Sequence, residues 1–388
     1  MLKSIKLFLY LLSIIIISSC DSSTSQRKGA TTEYDFVKVS VDRETDPVPN
    51  SGDAADDAAI WINNEDLDNS VIYGTDKKGG IIAYNLHGKL IKYYPVGDIN
   101  NIDIRYDFPI DPENPEDKYD IVGVSNSSDK SFMIFRINKA TGKLYDIGVR
   151  SFATGMEDTY GFAFYKSPTG NFYAFVSDKQ GQVQQWIITA IKDNHYRSDK
   201  KVDAKLVRSF SVPSKCEGMV ADDLRAVLFV AEEKHGIWSF LAEPEEGSES
   251  VQIFDIESNP NLEMEIEGLT IIYTSPADGY LVASSQGNSS YAVFERQPPY
   301  KYIGSFKLVD SGHINGTMST DGIAGTAFGL GAKWPEGLFI AQDGTYNKEN
   351  KKENQNFKLV SWGKIARKFN PNLLMSPTYN QFFTEESE

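Results

Sequence analysis

One pattern occurs six times along the 388 residues of this chain. A polar or acidic residue precedes a short apolar strand, and a turn rich in Gly, Asn, Asp or Pro follows. A second apolar strand ends in small residues and a polar pair, and a third carries aromatics. The copies begin near Asp57 (DAAIW, then VIYGTDKKGGIIAYNL), Asp103, Tyr160, Glu217 (EGMVA, then AVLFVAEEKHGIWSF), Glu267 and Asp321, about 45 to 60 residues apart. A unit of this length, built of three or four short antiparallel strands, buries its apolar faces only by stacking on its neighbours. The fold class expected is all-β, a six-bladed β-propeller with mostly four-stranded antiparallel blades. Ring closure removes free sheet edges. The segment EYDFVKVSVD (33–42) is expected to add the missing outer strand of the last blade. The propeller then spans 33–369, and a poorly structured tail covers 370–388.

The repeat alignment carries functional information. Positions just after the second strand are read as equivalent: Asp76 with Lys77, Asn126 with Ser127, Asp178 with Lys179, Glu232 with Glu233, Ser285 with Gln286, and Gln342 with Asp343. First-strand positions Asp57, Asp103, Tyr160, Glu217, Glu267 and Asp321 are aligned likewise. Equivalent positions converge on the axis of a propeller, so these polar rings meet at one channel mouth. A ring of carboxylates repels itself unless cations intervene, and oxygen ligands suit a hard ion such as Ca2+.

The formal net charge of −15 argues against nucleic acid as a partner, because phosphate backbones call for clustered Lys and Arg. The first residues have the form of an export signal. Lys3 and Lys6 precede an apolar run to Ile17, then Ser18, Ser19 and Cys20. Small residues directly before a Cys resemble the bacterial lipobox. Residues 1–19 are thus expected to be a lipoprotein signal peptide, Cys20 the lipidated residue and 20–32 a flexible tether. The protein would be exported and lipid-anchored in the outer membrane or cell envelope, touching the membrane only through that anchor. No later segment is apolar enough to span a bilayer. Cys216 is the only other cysteine, which leaves no disulfide in the folded part.

Several phosphatase chemistries fit poorly. His87, His195, His235 and His313 are the only histidines, and none lies in an RHGxRxP string. Asp222 stands where a C-x5-R loop starting at Cys216 would need its Arg. Four scattered histidines do not make a His-rich dinuclear site.

Several long strings point to a known family: GDAADDAAIW (52–61), GTDKKGGIIAYNLHGK (74–89), NNIDIRYDFP (100–109), YGF (160–162), IEGLTI (266–271), SSQGNSSYAVFERQ (284–297), TDGI (320–323) and GLFIAQDG (337–344) followed by NQNF. From about Glu44 to Trp362 the chain resembles the β-propeller, or alkaline, phytases of the bacterial 3-phytase type. The resemblance implies a monomeric hydrolase that binds several calcium ions in the channel mouth. Its substrate would be phytate or another phosphate ester, cleaved by direct attack of a metal-activated water. By motif it implies Glu44, Asp56, Asp57, Glu217, Glu233, Glu265, Glu267 and Gln286 as calcium ligands. Lys77, Lys78, Tyr160 and Lys179 would contact phosphate. Lys77, Lys179, Tyr160, Glu233 and Asp321 would carry the catalysis.

The chain departs from the family pattern at four places. Ser127 stands where a phosphate-binding Arg is usual, Glu265 where Asp is usual, and Asn315 where a metal-binding Asp is usual. The loop after Gly344 reads TYNK instead of an acidic calcium loop, with Lys348 in place of a carboxylate. A peripheral stabilising calcium is expected to be weakened or lost there. Each residue has a plainer alternative: Asp56, Asp57 and Asp321 as strand caps, Lys77 and Lys78 as a solvated hairpin, Tyr160 as packing, Gln286 as a loop stabiliser. Two other activities stay open on the sequence, a non-catalytic propeller that captures phosphorylated ligands and another calcium-dependent propeller hydrolase such as a lactonase or phosphodiesterase.

Overall fold

The computed structural model describes residues 36–192, 202–345 and 354–383. Within them the chain is all-β and forms six sheets, one per repeat, as expected. Each blade's inner strand lines the axis: Ala55–Trp61, Ile99–Asp111, Phe162–Lys166, Cys216–Asp222, Ile266–Tyr273 and Ile323–Thr326. The second strands Val71–Asp76, Phe172–Ser177, Gly279–Ser285 and Leu338–Asp343 are buried at every residue. Blades stack face to face, so a second strand has no solvent side, which explains its continuous apolar run.

An N-terminal strand closes the ring as expected, but not with the residues expected. Phe36–Ser40 does not join the last blade. It pairs in parallel with Tyr302–Val309 as a fifth strand of blade five. The chain then crosses to the neighbouring blade, where Arg43–Glu44 pairs with Asn356–Ser361 and supplies the outer strand. Val39 and Val41 are buried at the crossing, so one apolar segment fastens two blades.

Residues 370–383 of the expected tail carry no helix or strand, yet they are packed. A short helix, Trp362–Ala366, follows the last strand, and the chain from there packs back onto the ring. Leu373 is buried, the Leu374 N–H donates to the Tyr280 hydroxyl at 2.8 Å, and the Phe382 ring lies 4.7 Å from Tyr106. Phe382 thereby lines the channel together with residues from all six inner strands.

Inner strands of four blades carry a register break at the same place, between Ala55 and Ala58, Ile99 and Ile102, Cys216 and Met219, and Ile266 and Leu269. In the other two blades Tyr160–Gly161 and Asp321–Gly322 immediately precede the strand. A bulge frees a residue from the ladder and re-aims its side chain. The pairing makes Asp56, Asn100, Tyr160, Glu217, Glu267 and Asp321 the true equivalents. The expected alignment was therefore one residue off at Asp57 and three off at Asp103. Asp103 turns away instead, to Arg105 at 2.9 Å and the Phe164 N–H at 2.8 Å.

Candidate active site

The residue after each aimed side chain is Gly in four blades, because the next blade approaches closely. A Cβ on Gly218 would lie 1.6 Å from the Glu267 carbonyl oxygen, and one on Gly161 would lie 2.1 Å from that of Glu217. Side-chain clips hold this contact. The Ser177 Oγ accepts the Gly161 N–H and donates to the Cys216 carbonyl, each at 3.0 Å. Ser284 does the same between Gly268 and Asp321, at 2.8 and 2.9 Å. Gln342 closes the ring, accepting from Asp321 N–H at 2.9 Å and donating to Ala55 O at 3.0 Å. Gln342 is thus the equivalent of Thr75 and Ser177, so Asp343, not Gln342, aligns with Asp76.

The polar pairs that end the second strands split by direction. Their first members fold into the blade: Glu232 bonds the His235 Nδ1 and Trp238 Nε1, each at 2.7 Å, and the Asp178 carboxylate caps a turn at Gln180 N–H, 2.8 Å. The second members Lys77, Lys179, Glu233 and Gln286 reach the mouth, as strand alternation requires. Ser127 does not; its Oγ donates to the Asp98 carbonyl at 3.1 Å.

At the mouth the Lys77 ammonium meets Asp321 at 2.9 Å, Asp53 at 3.0 Å and Asp56 at 3.1 Å. The Gln286 amide donates to Glu267 at 2.8 Å and also to Asp321. Glu217, Glu233 and Glu267, all buried, each offer an oxygen within 4.8 Å of the others. The Glu217 Oε2 is buried without a hydrogen-bond partner among the described residues. Burial, together with the neighbouring carboxylates, pushes Glu217 and Glu267 well above the usual carboxylate range, and burial lifts Asp56 to about 6. Burial opposes the Lys77 charge, but Asp56 and Asp321 outweigh it and hold the ammonium protonated. Burial and the Glu217 carboxylate push the Tyr160 hydroxyl upward, so it stays a neutral donor. Lys179 and Lys215 each hold an ammonium 4.8 Å from the Tyr160 ring centroid.

Carbonyl and carboxylate oxygens with no sulfur or imidazole suit a hard cation. Calcium–oxygen bonds of about 2.3–2.6 Å allow ligand oxygens about 5 Å apart at most. The spacing of the three glutamates and the orphaned Glu217 oxygen fit that ion.

The expected residues fall into groups. Asp56, Lys77, Tyr160, Lys179, Glu217, Glu233, Glu267, Gln286 and Asp321 converge. Glu265 is exposed at the rim, its N–H donating to the Glu233 carbonyl at 2.6 Å. Lys78 turns outward to the Ser51 carbonyl at 2.8 Å. Asp57 lies one step down the channel and accepts from Asn101 and from the Ile102 N–H, both at 3.2 Å; burial lifts it to about 8. Glu44 is not at the mouth. It bonds Lys358, whose buried ammonium also meets Asn315 at 3.0 Å and Asp343 at 3.2 Å. That outer cluster is the poorer fit to a calcium ion: the buried Lys358 ammonium already pairs with both of its carboxylates, Glu44 and Asp343, whereas the mouth keeps the partnerless Glu217 oxygen. Lys348 and Cys20 lie outside the described residues. Sequence reasoning missed Asn100, Asp53 and Lys215; the Gly after four of the aimed residues was the signal for the register.

The family model described as Phytase matches residues 5–380. A 3-phytase of Bacillus subtilis (strain 168) is 42% identical over 351 residues, covering 89% of each chain. This chain belongs to the phytase family. It is accordingly a phosphoric monoester hydrolase. A solved structure of a calcium-binding protein, regucalcin from Agrobacterium tumefaciens, aligns with TM-score 0.50 at 9% identity, over 84% of this chain and 95% of that one. At such identity the likeness concerns the fold alone.

Proposed function

We propose that this phytase-family protein hydrolyses phosphate monoesters of phytate, with calcium, by direct attack of water. The observation that carries the reading is the trio Glu217, Glu233 and Glu267 beside the Lys77 ammonium. When bound, calcium supplies neutralisation of phosphate oxygens and a lowered pKa for coordinated water. Asp56, Glu217, Glu233, Glu267 and Asp321 would hold it by carboxylates. Gln286 would join through Oε1 after its amide turns over. Glu265, exposed at the rim, would have to turn inward to join them, and Asp57 stands below as a further carboxylate of the channel.

The chain's own groups position the ester. Lys77 and Lys179 offset charge on the transferring phosphoryl group, and the neutral Tyr160 hydroxyl donates to one of its oxygens. Lys78 is released from Ser51 to meet a peripheral phosphate. Among the described residues the Cys216 thiol is fully buried with its pKa pushed up and Tyr160 stays protonated, so neither competes with water as nucleophile. The proposal takes the protein to act as a monomer, and a closed ring with its edges already covered supports that reading. Export and anchoring through Cys20 belong to the same proposal; loss of membrane association in Cys20→Ser tests them.

Phosphate release from sodium phytate, with calcium titrated from chelated to millimolar, tests the function. Release that requires calcium and disappears in Asp56→Ala and Glu217→Gln supports it. Calcium-dependent binding of phytate without any release would replace catalysis with capture.

A further inference from the structure

The cationic rim of the mouth is one residue short on blade two and one residue richer on blade four. Ser127 occupies the register position of Lys77 and Lys179 and bonds its own blade instead. Lys215 lies just before the inner strand Cys216–Asp222, outside every repeat position that the alignment singled out. Its carbonyl accepts the Glu233 N–H at 3.1 Å, which fixes the backbone at the mouth. Its ammonium lies 2.7 Å from a Glu233 oxygen and 4.8 Å from the Tyr160 ring centroid, as close to that ring as Lys179. The side chain is 36% exposed, while Glu233 beneath it is 7% exposed. The ammonium therefore faces buried carboxylates on one side and solvent on the other.

We infer that Lys215 is a substrate ligand: it binds a phosphate oxygen in the space bounded by Tyr160, Lys179 and Glu233. The inference rests on the proposed function. In the metal-free protein Lys215 serves as counterion to Glu233. With a divalent cation held by Glu233 that counterion would no longer be needed, and the Lys215 ammonium would be free to turn to a phosphate at the rim. Two ammonium groups beside one aromatic ring then make a polyanion site on blades three and four. That site supplies the positive charge Ser127 does not. A charge-assisted hydrogen bond to phosphate of this kind corresponds to an effect of about tenfold or more in affinity.

The test uses myo-inositol hexakissulfate, a polyanion that cannot be dephosphorylated, alongside phytate, on the full chain in saturating calcium. Lys215→Gln is expected to weaken hexasulfate binding and raise the KM for phytate about tenfold, with kcat changed less than about threefold. Lys215→Arg is expected to retain most of the affinity. In the unaltered protein, hexasulfate is expected to slow acetylation of Lys215 by acetic anhydride, read by peptide mass spectrometry. That readout does not depend on any variant folding. Unaltered protein that binds hexasulfate and cleaves phytate, with Lys215→Gln equal to it in KM and Lys215 acetylated at the same rate with or without hexasulfate, overturns the inference alone. Unaltered protein that neither binds hexasulfate nor cleaves phytate overturns the proposed function and this inference with it.

Discussion

Lys77→Met removes the ammonium that three carboxylates share and keeps most of the side-chain volume. In the metal-free protein Asp321 and Asp56, at 2.9 and 3.1 Å, lose their counterion inside the ring. Breaking a buried pair from one side costs about 3–5 kcal/mol; with Lys77 partly open to water the lower end, about 3 kcal/mol, applies. At about 2.1 cal/mol/K of unfolding entropy per residue, a chain of this length loses about 4 °C of Tm in chelator. Calcium replaces the missing positive charge, so the loss shrinks to about 1 °C or less when calcium saturates the site. The same substitution removes a positive charge that competes with a cation for Asp56 and Asp321, and one unit pair about 5 Å apart interacts with about 3 kcal/mol at an effective dielectric of 20. Calcium is therefore expected to bind at least tenfold tighter, while phytate turnover falls about 10²-fold through the lost phosphate contact. Scanning calorimetry with and without chelator, calcium titration calorimetry and a phosphate-release assay read the three quantities. Equal Tm losses in both conditions, or weaker calcium binding, would show that Lys77 does not face the cation.

Three further substitutions report on the groups around the site. In chelator, stability is expected to fall as pH rises from about 4 to about 8, in part because half-buried Asp57 stays protonated to about 8 while its unfolded counterpart ionises near 3.8; Asp57→Asn reduces that slope in pH-dependent denaturation, the raised Glu217, Glu267 and Asp56 carrying the rest. Ser177→Ala strands the Gly161 N–H and the Cys216 carbonyl, and is expected to cost about 2 kcal/mol in urea unfolding and to raise the KM for phytate by loosening Tyr160. Lys358→Met leaves Asp343 buried without its ammonium, with an expected loss of about 3–5 kcal/mol that is the same with and without calcium; a loss that calcium repairs would mean the outer cluster binds the ion after all.

The six blades were legible because each second strand is a short apolar run ending in a polar pair, and blade stacking leaves such a run no other place. The mouth was legible for the same reason: second members of the pairs, Lys77, Lys179, Glu233 and Gln286, point to the axis by strand alternation alone. Register on the inner strands was harder. Asp56 and Asp57 look alike in sequence, and only the bulge, visible as pairing of Ala55 with Asp76 and Ala58 with Gly74, decides which one faces the mouth. The last blade slipped by one because Gln342 is long and polar where four other blades carry Ser or Thr and blade four carries Ala231, yet it performs the same clip. Glu44 and the N-terminal strand went astray because sequence does not say where an extended segment crosses from one blade edge to the next. Lys215 belongs to no repeat position, so nothing periodic marked it.

Anomalous diffraction from calcium-soaked crystals of this protein tests the central claim most directly. The account predicts anomalous density among the carboxylates of Glu217, Glu233 and Glu267, with the Gln286 amide turned over and none between Glu44 and Asp343. Density confined to the Glu44 cluster, or none at the mouth at millimolar calcium, would contradict it.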